Sequence, residues 1–215
     1  KRMQGVSTIP APDAATQNEQ VELLGRALRR QGGDALLEHA VVALRSVHDE
    51  SAKAALADAS EATGAAHIAG MAATRPGVSE AAVCAAMEFE LAKRGCGTAY
   101  GSIVTVHGEV LHNHSHQNEC RAGDLLLADV GAETPGGWAG DVTRTWPVSG
   151  TFSPTQRAMY DIVLAAQLEA IDRARPGVRY RDVHLQAART LTQGLVDEGV
   201  LIGNVDSLVE RGVHA

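Results

Sequence analysis

The chain has 215 residues, 45% of them hydrophobic and 21% charged, and a net charge of −7 at pH 7. That composition can bury a core, which excludes a disordered tail or a fibrous repeat, and the acidic balance without a Lys/Arg stripe argues against a dedicated nucleic-acid binder. No apolar run approaches the roughly 18 residues of a membrane span, no signal-peptide core opens the chain, and Cys84, Cys96 and Cys120 have no zinc-ligand or CxxC spacing, all of which points to a reduced, cytoplasmic protein.

Residues 1–20 have loop chemistry, and short helices are expected from Val21 to about Arg30 and from Asp34 to Leu44, on either side of Gly32-Gly33. Residues 1–40 read as a linker or the end of a preceding domain. Residues 51–73 form an Ala-rich helix that ends at Arg75-Pro76-Gly77-Val78. A second helix begins at the N-cap Ser79, buries Val83, Met87 and Leu91 on one face, and stops at Gly95. The period then changes to two. Strands are expected at 102–106, 124–130 and 138–148, with a turn at Thr134-Pro135-Gly136-Gly137 between the last two.

Ser153-Pro154-Thr155-Gln156 then opens a helix with an N-cap, a proline at its first position and a capping-box Gln. Met159, Ile162, Val163 and Ala166 should face inward. A last helix carries Val183, Ala187, Leu191 and Leu195 and ends near Gly199. Arg-Pro-Gly-Val occurs twice, at 75–78 and 175–178, each time between a long helix and a second amphipathic helix. The shared context predicts an internal duplication. Strands follow the first helix pair but not the second, and the first residue is not Met, so the sequence is expected to be incomplete, with half of a sheet missing.

The chemistry concentrates in Asp129-Val-Gly-Ala-Glu and Gly140-Asp141-Val-Thr-Arg-Thr. A symmetric hairpin centred on Pro135 sets Asp129 opposite Asp141, with Cβ atoms roughly 4.5–5.5 Å apart. Like charges there repel, and apolar neighbours sharpen the repulsion. The pair could share a proton, bind an arginine such as Arg144, or hold a divalent cation. Spacing alone leaves these open. His112-Asn113-His114-Ser115-His116 offers a second histidine set at alternate positions, but its polar surroundings favour solvated loop histidines. Glu133 falls at the turn and is read as a surface residue.

The string of Leu111-His112, Asp129-Val-Gly-Ala-Glu, Gly140-Asp141-Val-Thr-Arg-Thr-Trp-Pro-Val-Ser-Gly and Phe152-Ser153 resembles the pita-bread metallopeptidases, most of all the aminopeptidase P and proline dipeptidase branches. The resemblance covers residues 41–215, which it implies are a partial catalytic domain. It implies an α/β (α+β) pita-bread fold, with duplicated helical hairpins on a mostly antiparallel sheet whose second half is incomplete here.

The resemblance implies two divalent metal ions, Mn²⁺ first with Co²⁺ or Zn²⁺ as alternatives. Asp129 would chelate one ion, Asp141 would bridge both, and His112 would be catalytic by contacting substrate. Thr143 falls where a hydroxyl could support the bridging carboxylate. The other ligands, a His and two Glu, would lie beyond residue 215, and His214 is not one of them. The implied reaction is hydrolysis of the bond between an N-terminal residue and a following proline; a dipeptidase or a non-catalytic peptide-binding module are the alternatives. The retained Asp129 and Asp141 count against the binding module. The implied partners are a peptide with proline second and further copies of the chain, as a dimer or tetramer.

Overall fold

The computed structural model describes residues 5–29 and 31–213, so Arg30 and His214 lie outside the described residues. Helices α1 (Ala14–Leu24) and α2 (Gly33–Arg45) lead into α3 (Glu50–Ala73) and α4 (Glu80–Lys93). Strands β1 (Gly97–Thr98), β2 (Ile103–Thr105), β3 (Leu125–Val130), β4 (Ala132–Glu133) and β5 (Val142–Pro147) follow, then α5 (Pro154–Arg173), α6 (Tyr180–Asp197) and α7 (Val205–Glu210). Every strand pairing is antiparallel, in a sheet ordered β2-β3-β5 and a β1-β4 ribbon. Among the described residues no helix is long and apolar enough to cross a membrane.

The first 20 residues are not all loop. Asp13 accepts from Thr16 N at 2.8 Å and so caps α1, while Gly25, left-handed at φ 66°, closes it. The helix therefore begins and ends earlier than the apolar pattern suggested, because its caps outweigh its weak hydrophobic face.

The core lies between the α3–α4 hairpin and the sheet. Ala59, Ala62 and Ala66 of α3 and Val83, Met87 and Leu91 of α4 are buried, against Val104, Leu126, Ala128, Val130 and Trp146. Small residues let the two helices close up: a Cβ on Gly70 would stand 2.7 Å from Met87 Sδ. The Ser79 cap forms as expected, its side chain accepting from Ala82 N.

The second hairpin repeats the first in its connection. Val78 N donates to Arg75 O at 3.2 Å and Val178 N to Arg175 O at 3.1 Å. Gly77 and Gly177 take φ 86° and 84°, a left-handed backbone that favours glycine. The Ser153–Gln156 capping box is complete. Burial differs, however. Ala166, Ala188 and Thr192 are buried, whereas Val163 is 60% exposed, contrary to expectation. Val163 faces a groove of about 490 Å³ over Leu125, Leu127 and Thr145 rather than a packed sheet.

The strand register also departs from the symmetric hairpin. Asp129 pairs with Thr143 and Val130 with Val142, and Thr134 N bonds Trp138 O at 2.9 Å. The loop is thus the three residues 135–137, ending at Gly137 with φ 77°, a common hairpin geometry. Its centre is Gly136, one residue beyond the expected position. The hairpin also breaks at Gly131 and Gly140, so the last strand starts at Val142 instead of Trp138.

Candidate active site

Asp129 is half-buried on β3 and Asp141 is exposed just before β5. Because Asp141 lies two residues from Thr143, the cross-strand partner of Asp129, it enters β5 on the same side of the sheet as Asp129. They are diagonal rather than directly opposed, which corrects the expected pairing while keeping the convergence.

Tyr100, which no sequence pattern singled out, joins them. Its Oη stands 2.6 Å from Asp129 Oδ1 and 3.0 Å from Asp141 Oδ1. The two carboxylate oxygens are therefore closer together than those two lengths combined. Burial first, then the two accepting carboxylates, raises the phenol pKa, so Tyr100 stays a donor throughout the neutral range. Among the described residues no hydrogen bond occupies Oδ2 of either aspartate, and neither forms an ion pair. Arg144 donates to Thr143 O at 2.8 Å, so the reading in which it neutralises Asp129 does not hold.

Glycines make this closeness sterically feasible. A Cβ on Gly131 would come within 2.9 Å of Tyr100 Cε1 and would collide with the Gly140 carbonyl oxygen. A Cβ on Gly140 would collide with the Thr63 hydroxyl and meet Ala59 O at 3.0 Å. Thr63 of α3 accepts from Ala132 N at 2.9 Å, which fixes the hairpin to the helix. One turn on, buried His67 places Nε2 3.3 Å from Val130 O. Desolvation lowers its pKa, leaving a neutral ring beneath the sheet.

The structure treats the histidine stretch unevenly. His112 is exposed, with φ 52°; among the described residues no hydrogen bond joins it to either carboxylate. His114 packs over Gly101, and His116 Nε2 lies 3.1 Å from Ser102 O. They point to different partners, and among the described residues no three His, Cys, Asp or Glu side chains form a metal-binding group. Glu133 is exposed, as expected for a surface residue.

Two hard carboxylate oxygens on one face, held by one neutral donor and with no ion-pair partner among the described residues, suit a divalent metal, though they supply only part of its coordination shell. Tyr100 would act as their orienting partner. Tyr100→Phe in the full-length protein is expected to weaken metal binding by about 10–100-fold, the usual effect of losing an outer-shell hydrogen bond. Calorimetric titration with Mn²⁺ measures this; unchanged affinity would remove Tyr100 from the site.

The profile of metallopeptidase family M24 matches residues 54–212. The chain is 38% identical over 164 residues to the Xaa-Pro aminopeptidase of Escherichia coli K12, covering 75% of this chain and 37% of that relative. Among solved structures it is similar to the Pseudomonas aeruginosa aminopeptidase PepP, with TM-score 0.85 and 29% identity over 98% of this chain and 50% of that one. It is also similar to E. coli aminopeptidase P with the inhibitor Pro-Leu, with TM-score 0.74 and 37% identity over 78% of this chain and 38% of that one.

Proposed function

This chain belongs to metallopeptidase family M24, and on that premise we propose that the protein carrying it is a metal-dependent aminopeptidase hydrolysing the bond between an N-terminal residue and a following proline. The observation that carries the proposal is the convergence of Asp129 and Asp141 on one donor, Tyr100. Proline specificity is supported by the relative named Xaa-Pro aminopeptidase and by the similar structure holding Pro-Leu.

Asp129 would hold one divalent ion and Asp141 would bridge a pair, with Mn²⁺ as the expected metal. Bound there, such ions supply Lewis acidity and a water acidified to near neutral pH. The residues of this chain prepare that chemistry. Tyr100 keeps both carboxylates turned toward a common point, and Thr143 lies beside Asp129 in the ladder. His112 would donate to the substrate carbonyl as negative charge develops on it. Residues 41–215 are then the part of the catalytic domain that contributes these two carboxylates, and 1–40 a linker.

The test is hydrolysis by full-length protein of matched peptides carrying proline or alanine second. Cleavage of the proline peptide alone, lost on chelation and restored by Mn²⁺, is expected. Cleavage that ignores the second residue or survives chelation would refute the proposal.

A further inference from the structure

Glu80 is fully buried, yet among the described residues no cation pairs with it. Such a carboxylate is unfavourable unless donors replace its lost water. The donors come from both ends of one loop. Val106 N, where β2 ends, lies 2.8 Å from Oε1, and Asn118 N lies 3.0 Å from Oε2. Asn118 Nδ2 reaches both oxygens, at 3.1 and 3.0 Å. The Glu80 N–H donates in return to Asn118 O at 2.9 Å, so one residue grips Asn118 through backbone and side chain together. Burial alone would raise the carboxyl pKa, but these donations leave it below its ordinary value. The start of α4, where Glu80 sits, also favours an anion.

The chain between these anchors carries His112. At φ 52° its backbone occupies the left-handed region, which a non-glycine residue enters when its surroundings impose it. Asn113 Nδ2 lies 3.5 Å from Thr105 Oγ1 in β2 and His116 Nε2 3.1 Å from Ser102 O just before it, tying the loop down at intermediate points. We infer that Glu80 is a positioning residue, a buried carboxylate that fastens both ends of the 106–118 loop and thereby sets where His112 is held relative to Asp129 and Asp141. The fastening stands on geometry alone; its effect on turnover rests on the role given to His112 above.

The experiment combines hydrogen exchange by mass spectrometry with kinetics on the full-length protein, as wild type, Glu80→Gln and Asn118→Ala. Glu80→Gln replaces one acceptor oxygen with a donor facing donors. Faster exchange confined to 106–118 is expected, with α3 and β3–β5 unchanged, and a smaller shift of the same kind in Asn118→Ala. On an Xaa-Pro peptide kcat should fall by about 10–100-fold, as for other displaced catalytic groups, with KM and metal content retained. Unchanged exchange at 106–118 in both variants, or exchange raised equally throughout the chain, overturns the fastening. A loosened loop with unchanged kcat overturns the positioning role. His112→Ala in the same assay locates that failure: if it too leaves kcat unchanged, the premise about His112 is what fell.

Discussion

Asp141→Asn in the full-length protein is expected to abolish Xaa-Pro hydrolysis and to empty the metal site. Asn preserves the shape of the side chain and can still accept from Tyr100 Oη, which lies 3.0 Å from the present Oδ1. The hairpin register should therefore survive, and the loss would be electrostatic. If Asp141 holds two ions as proposed, its charge would offset both, and without it a metal-attached water would be less acidic. The effect should exceed the roughly 10–100-fold typical of an outer-shell change. Metal-free stability should hold or rise, because one of two neighbouring like charges is gone, a gain of at most about 1 kcal/mol. Elemental analysis, turnover and a denaturant titration of the metal-free protein separate these effects. Two bound ions with near-normal turnover would show that Asp141 is misassigned.

His112→Ala should lower kcat by about 10²–10³-fold, the usual loss on removing one donor to a developing oxyanion, while leaving metal content intact. The backbone there matters, because alanine tolerates φ 52° less well than histidine or asparagine. His112→Asn is therefore the control: it keeps the left-handed turn and removes the imidazole. Equal losses in both variants assign the effect to the side chain, and a loss in alanine alone assigns it to the loop. A variant that loses its metal would make His112 a ligand.

Features governed by local rules were legible in the sequence. The Ser79 and Ser153 caps, the buried Val83, Met87 and Leu91, and the two Arg-Pro-Gly-Val turns each depend on a few adjacent residues. Helix α1 was misplaced because its signal lay in Asp13 and Gly25 rather than in apolar periodicity. A hairpin centred on Pro135 is two residues out of register, because left-handed Gly137 makes the loop three residues long and centres it on Gly136. Asp129 and Asp141 still reached one face, since the error and the diagonal offset both preserve the period of two.

Tyr100 and Glu80 were not legible, for a different reason. Tyr100 meets partners 29 and 41 residues away, and Glu80 is fixed by Asn118, 38 residues away. Only tertiary packing brings those groups together. The available hint for Tyr100 was compositional: with three tyrosines in the chain, one beside a glycine just before a strand is an unusual use of a bulky residue.

Anomalous diffraction from crystals of the full-length protein grown with Mn²⁺ tests directly whether Asp129 and Asp141 hold metal. Anomalous peaks are expected within about 2–2.5 Å of carboxylate oxygens from both Asp129 and Asp141, with Tyr100 still hydrogen-bonded to at least one of them. Manganese bound elsewhere, with these two carboxylates free of metal, would contradict that expectation.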